Sequence, residues 1–406
     1  VSHNTRQYSV FALLTLALPL AISACGDPEE TESASTSDTE TSGDTVVGTS
    51  ETTDTPTGTS ETETAGPTTD PSTTDPSTTD PSTTDPSTTD PSTTDPSTTD
   101  PSTTDPSTTD TSDSDTEGET DTGMNDGVVR FIALGDGGEG NDTQYAVANA
   151  VEMVCAERGC DFALYLGDNF YDTGVDSPQD GQFQSKFEMP YADIGFPFYI
   201  VFGNHDYGML ANQWGKADYQ IEYTQYSDKW TCPAKWYDFQ QENVHFFGLD
   251  TSRIFWDHEW DQQKDWLTSG IQNSDATWKI AYGHHPYISN GAHGNAGNYE
   301  GFDFIPIVSG EAVEDFMDDA VCNQIDIYFC GHDHNRQWLE ERCGTEFIVS
   351  GAAAKNTDFE HHDDNPVHWE DDQRAGFMWV EIEGNQMTGI FFDEDGNLEF
   401  ERTITK

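Results

Sequence analysis

Between Gly26 and Gly127 the chain has no lysine, no arginine and no cysteine, and only five of the 102 positions are apolar. A segment of that composition has nothing to bury and does not fold by itself. Across all 406 residues, 16 basic side chains stand against 76 acidic ones, a formal charge of −60. The scarcity of positive charge excludes the basic footprint of a nucleic-acid binder. It equally excludes electrostatic adhesion to an anionic membrane. Long apolar runs are also missing, which argues against a membrane-spanning helix. The aromatic residues tell the other half: 46 of the 48 fall in Val128–Lys406, with 50 acids and 15 bases. That stretch is one globular unit, large enough to bury a sizeable core.

Residues 1–25 carry Arg6 in a polar start and an apolar run from Val10 to Ile22. The run is too short for a span and reads as a signal peptide. Its end, Ile22-Ser23-Ala24-Cys25, resembles a bacterial lipoprotein cleavage box, in which the Cys becomes the lipid-bearing N-terminus. The lipid alone would then hold an exported protein to the membrane, at the cell surface or in the periplasm. Residues 26–127 read as a disordered acidic linker, in which Pro71–Asp110 is eight copies of Pro-Ser-Thr-Thr-Asp. A five-residue period without an apolar position builds no solenoid. Its span lies between roughly 55 Å as a flexible coil and about 320 Å as a polyproline helix, which suits a stalk.

In 128–406, strands are expected at Val128–Leu134, Phe162–Leu166, Phe196–Phe202, Val244–Leu249, Trp278–Tyr282 and Ile325–Cys330. Further strands are expected at Glu346–Gly351, Gly376–Glu383, Met387–Phe392 and Leu398–Thr403. Helices are expected over Gln144–Arg158, capped by Asp142 or Thr143, and over Asp257–Thr268. Five strands end in the same way: Gly135-Asp136, Gly167-Asp168, Gly203-Asn204, Gly283-His284 and Gly331-His332. Glycine there is expected to let the chain turn sharply. The next side chain then enters a cleft beyond the carboxyl ends of the strands.

Those ends offer Asp136, Asp168, Tyr171, Asn204, His205, His284, His332 and His334. Carboxylate, phenol, amide and imidazole without thiolate suit iron, manganese or zinc. There are enough ligands for two ions, and one shared carboxylate would set the two-metal clamp that serves phosphoryl hydrolysis. Two cations would also reverse, locally, a domain charge that repels phosphate.

The motifs Gly135-Asp136, Gly167-Asp168-Asn169-Phe170-Tyr171, Gly203-Asn204-His205-Asp206, Gly283-His284 and Gly331-His332-Asp333-His334-Asn335 resemble, in order and spacing, those of purple acid phosphatases of the small tartrate-resistant type. These belong to the calcineurin-like metallophosphoesterases, and the resemblance covers almost all of Phe131–Ser350. It implies an α/β (α+β) fold: a β-sandwich of two mixed sheets flanked by helices. It also implies that Asp136, Asp168, Tyr171 and His334 hold Fe(III), and that Asp168, Asn204, His284 and His332 hold Fe(II), Zn(II) or Mn(II). His205 would face the substrate phosphate and protonate the leaving group, with His293 as the alternative general acid. The sequence departs from the family at Gly137, where mammalian-type enzymes carry Trp, at His285, where they usually carry Tyr, and between Gly294 and Val313.

His285 reads as a cleft-wall residue, Asp358–Asp364 with His361 and His362 as a solvated acidic loop, and Asp393–Asn397 as a hairpin turn. The six cysteines after residue 150 permit fifteen pairings. Position favours Cys155 with Cys160 and Cys322 with Cys343, leaving Cys330 a free thiol beside the site. The expected function is hydrolysis of small phosphate monoesters by a monomeric acid phosphatase. A phosphodiesterase or nucleotide hydrolase on the same centre is the alternative, and a non-catalytic surface stalk the more distant one.

Overall fold

A computed structural model of the chain describes residues 127–301 and 306–406. The expected signal segment, Cys25 and the repeat-bearing linker up to residue 126 lie outside the described residues. The chain opens with β1 (Val128–Leu134), β2 (Phe162–Tyr165), β3 (Phe198–Ile200) and β4 (Trp230–Thr231). It continues through β5 (Tyr237–Gln241), β6 (Val244–Gly248), β7 (Trp278–Tyr282), β8 (Ile327–Cys330), β9 (Arg336–Leu339), β10 (Glu346–Ser350) and β11 (Val367–Asp371). It closes with β12 (Gly376–Glu383), β13 (Gln386–Asp393) and β14 (Leu398–Thr405). The first four and last three strands form one sheet, ordered β14-β13-β12-β1-β2-β3-β4, and the middle seven form the other, ordered β11-β9-β10-β8-β7-β6-β5. Both are mixed: β1, β2, β3 and β4 run parallel, as do β6, β7, β8 and β10, while β12, β13 and β14 in one sheet and β5, β9 and β11 in the other join antiparallel.

β1 is apolar apart from Arg130, and buried on both faces from Phe131 onward. Val129, Phe131 and Ala133 belong to the core between the sheets. Ile132 and Leu134 pack with Val147, Ala150, Val151 and Val154 of the helix Asp142–Arg158. At the centre of the sandwich Phe131 stacks on Phe162 at 5.4 Å and meets Phe246 and Phe329 edge-on at 5.5 and 5.7 Å. The first two rings come from one sheet and the last two from the other, so this cluster holds the sheets together.

Several expectations shift in detail. The helix begins two residues earlier than expected and its cap is Asn141, whose side chain accepts the Gln144 N–H at 2.9 Å, not Asp142 or Thr143. The second long helix runs from Trp260 to Asn273. Phe196–Phe202 contributes only its middle to β3. Cys155–Cys160 and Cys322–Cys343 are disulfides, and both Cys232 and Cys330 are buried free thiols. In the turn at Asp393–Asn397, Arg374 pairs with Asp393 at 3.2 Å and Glu394 at 2.9 Å, so a guanidinium already supplies the positive charge there.

Candidate metal centre

The parallel strands of each sheet deliver their carboxyl ends to one rim. Asp136 follows β1, Asp168 follows β2, and Asn204 and His205 follow β3. His284 follows β7, and His332 and His334 follow β8. The terminal glycines act differently from expectation. Of the five, only Gly167 has a positive φ; the left-handed conformation falls instead on the next residue at Asp136 (φ 59°), Asp168 (φ 52°) and His332 (φ 70°). Such backbone states are costly for side-chain-bearing residues and gather at functional sites. The glycines are needed for room. A Cβ at Gly203 would collide with the Asp168 carboxylate and amide N, and one at Gly331 with the Asp136 carboxylate.

The ligand atoms of Asp168, His284 and His332 converge within 4.8 Å of one another, as do those of Asp136, Asp168 and His334. Among the described residues these are the two groups of three, and Asp168 belongs to both. Tyr171 joins the second group: its hydroxyl donates to Asp136 Oδ1 at 3.0 Å and lies 3.2 Å from His334 Nε2. Asn204 joins the first, with Oδ1 3.0 Å from His284 Nε2. His284 Nδ1 sits 2.9 Å from the Leu166 carbonyl, which assigns the proton to Nδ1 and leaves Nε2 for coordination. All seven residues expected as ligands are therefore brought together.

The charges inside this cluster fit cations. Burial opposes ionisation of Asp168, yet the neighbouring His284 and His205 hold its carboxyl well below the usual range. Burial would depress His284, but Asp168 pushes it up to about 9, so a proton occupies a place that a metal ion would take. Burial and then the charges of Asp136 and Asp168 raise the Tyr171 phenol well above its ordinary value. A phenolate at that position requires a strong positive charge beside it, which a trivalent ion supplies. His332 is driven well below its ordinary value by burial and by its histidine neighbours, which keeps it neutral as a ligand must be.

The two residues expected to touch substrate flank the groups, one on each. His205 lies against the Tyr171 ring at 4.6 Å, with its backbone N–H on Asp168 Oδ1 at 3.0 Å and Nδ1 on the Asp172 carbonyl at 2.7 Å. His293 stacks on His332 at 3.9 Å, its backbone N–H on Asp333 Oδ1 at 2.8 Å and its Nδ1 on Glu300. Burial lowers His293, but Glu300 and Asp333 outweigh it and lift it to about 9. His285 is buried, bonded through Nδ1 to Thr251 Oγ1 at 2.9 Å, and held neutral by burial and the charge of His284. It is thus wall, as expected.

Other residues escaped sequence reasoning. Thr251 Oγ1 accepts the backbone N–H groups of His284 and His285 at 3.1 and 3.0 Å, fixing that loop. Asp206 accepts from Gly203 and Asn169 backbone N–H groups at 2.8 and 3.1 Å and ties the second motif to the third. Lys355 places its ammonium 3.7 Å from the Tyr171 ring centroid and 3.0 Å from Glu139. Thr251 and Asp206 sit at strand ends, where a signal existed. Lys355 and Glu300 sit in loops with none. The acidic loop 358–364 buttresses the rim: His362 Nε2 bonds the Ala292 carbonyl at 3.0 Å, and the Glu360 and His361 N–H groups bond the Asn290 carbonyl.

Residues 122–336 match the calcineurin-like phosphoesterase family. Human tartrate-resistant acid phosphatase type 5 is 28% identical over 315 residues, spanning 68% of this chain and 91% of the relative. Purple acid phosphatase 7 of Arabidopsis thaliana is 29% identical over 309 residues, spanning 70% and 88%. Among solved structures, GAP50, the anchor in the inner membrane complex of Plasmodium, aligns with a TM-score of 0.55 at 21% identity over 68% of this chain and 89% of its own. The purple acid phosphatase PPD1 of yellow lupin aligns with a TM-score of 0.51 at 16% identity over 68% and 54%. The last two share the fold.

Proposed function

This chain belongs to the calcineurin-like phosphoesterases, and from that premise we propose that it is an acid phosphatase of the purple type, hydrolysing phosphate monoesters at a dinuclear centre. One observation carries the reading: the carboxylate of Asp168 is common to two convergent ligand groups. When bound, two ions polarise phosphoryl oxygens and lower the pKa of a water that attacks phosphorus. Asp136, Asp168, Tyr171 and His334 would hold Fe(III), for which the hard phenol is suited; Asp168, Asn204, His284 and His332 would hold Fe(II), Zn(II) or Mn(II). Asp168 fixes the spacing of the pair, His284 is oriented through Leu166, and His205 and His293 flank the cleft as substrate-facing imidazoles. The 50 acids against 15 bases of Val128–Lys406 repel an anionic ester, so attraction of substrate depends on the loaded centre.

The test is to load the full chain with iron and zinc and measure metal content, visible spectrum and hydrolysis of p-nitrophenyl phosphate and bis-p-nitrophenyl phosphate across pH. Two ions per chain, a tyrosinate band and faster monoester turnover are expected. A colourless, iron-free active protein ends the ferric assignment, and faster diester turnover ends the monoesterase reading. A non-catalytic role is disfavoured by the intact ligand set. Among the described residues no helix is long and apolar enough to cross a membrane. Export and anchoring through a lipid on Cys25 form part of the proposal, supported by the apolar run and the Cys-containing box. Cys25→Ser should move the protein from the membrane to the soluble fraction; retention in the membrane would refute the anchor.

A further inference from the structure

His293 is held from three sides. Its ring lies on the His332 ring at 3.9 Å with 19° between planes, and its backbone N–H donates to Asp333 Oδ1. Its Nδ1 meets the Glu300 carboxylate directly. The same Glu300 donates its backbone N–H to the His293 carbonyl at 3.0 Å. Side chain and main chain thus close the loop 293–300 at one neck, and Glu300 takes the left-handed conformation (φ 57°) that the closure demands. With Nδ1 occupied, Nε2 is the ring nitrogen left for substrate. The carboxylate fixes that tautomer and stabilises the ring when it carries a second proton.

We propose that Glu300 is a positioning residue: it holds His293 so that Nε2–H protonates the departing oxygen of an alkyl phosphate. This rests on the phosphomonoesterase reading and extends it to esters of poor leaving groups. In the step, the bond between phosphorus and the alkyl oxygen breaks and its electron pair stays on that oxygen. The oxygen takes the Nε2 proton, and the water-derived oxygen forms the new bond to phosphorus. The alcohol and inorganic phosphate leave, and the proton lost by the attacking water returns through solvent to His293.

The experiment compares wild type, Glu300→Gln and Glu300→Ala in the metal-loaded full chain on glycerol 2-phosphate and p-nitrophenyl phosphate. An alkoxide needs a proton to leave, whereas p-nitrophenolate does not. Glu300→Ala should lose roughly 10²-fold in kcat/KM on the alkyl ester and less than about tenfold on the aryl ester, at unchanged metal content. Glu300→Gln keeps an acceptor for Nδ1–H and should fall between wild type and Glu300→Ala. Equal losses on both esters, or a wild-type ratio, overturn the proposal. A leaving-group-dependent loss in His205→Ala but not at Glu300 overturns it as well, by assigning the acid to His205. If Glu300→Ala sheds metal, the Gln variant decides alone, and an unchanged ester ratio there ends the proposal. A loaded wild type that cleaves neither ester refutes instead the reading of the centre.

Discussion

Gly203→Ala tests whether the strand-end glycines serve the centre through space. The added Cβ would stand 2.7 Å from Asp168 Cγ and closer still to its Oδ1 and backbone N. Non-bonded carbons rest at about 3.5–4.0 Å, so the carboxylate or the loop must retreat by roughly 1 Å. Backbone lies among the colliding atoms, so rotation of a side chain does not relieve the clash. Overpacking of this kind costs about 1–3 kcal/mol, which a domain with so large a core survives. The centre does not, because ligand distances tolerate only about 0.2 Å and a misplacement of ~1 Å in a site costs on the order of 10²-fold. Asp168 belongs to both ligand groups, so both ions should be affected. The expected variant is folded by circular dichroism, melts a few degrees lower, binds fewer than two ions per chain by elemental analysis, and turns over p-nitrophenyl phosphate ~10²-fold slower. A variant with full metal and wild-type turnover would refute the spatial argument.

Asn204→Ala and His205→Ala should each lose ~10²-fold or more in kcat, but only Asn204→Ala should also weaken binding of the divalent ion, by calorimetric titration. Without metal, His284 and His293 have pKa values of about 9 against an ordinary 6.5. Raised values mean that the folded state binds the extra protons. Their stabilisation is therefore full below 6.5 and is lost as pH rises through about 9. The metal-free chain should melt at falling temperature from about pH 7 to about pH 9.5, and the loaded chain less so, since an ion replaces the His284 proton; a flat metal-free profile contradicts this. Cys322→Ser opens a bridge with a sequence separation of 21 and should cost about 3 kcal/mol in urea unfolding, against about 2 for Cys155→Ser with a separation of 5.

The strands that carry ligands were legible because each is short and mostly apolar, and β1 and β7, like the neighbouring β12, run as the pattern predicts. The strands that went unseen carry too many polar residues to read as apolar runs. β5 (Tyr-Asp-Phe-Gln-Gln) alternates in exposure, and β9 buries Arg336 and Gln337, which take partners as distant as Asp371 and Ser289. Five of the seven ligands were readable because each directly follows a glycine, and Tyr171 and His334 lie within the same motifs, three and two residues further on. Glu300 and Lys355 act across loops, and nothing local marks them. Even the glycines were understood for the wrong reason: the chain needed their emptiness more than their flexibility.

Each ligand group draws on both halves of the sandwich: Asp168 of one sheet with His284 and His332 of the other, and Asp136 and Asp168 with His334. Ions bound there would therefore act as removable rivets between two layers, complementing the Phe131 cluster deeper in. A chelator would undo a joint of the architecture as well as a catalyst. Conversely, a substitution remote from the rim that splays the sheets would register first as weaker grip on metal. Occupancy of the centre then serves as a gauge of how well the two sheets are seated on each other.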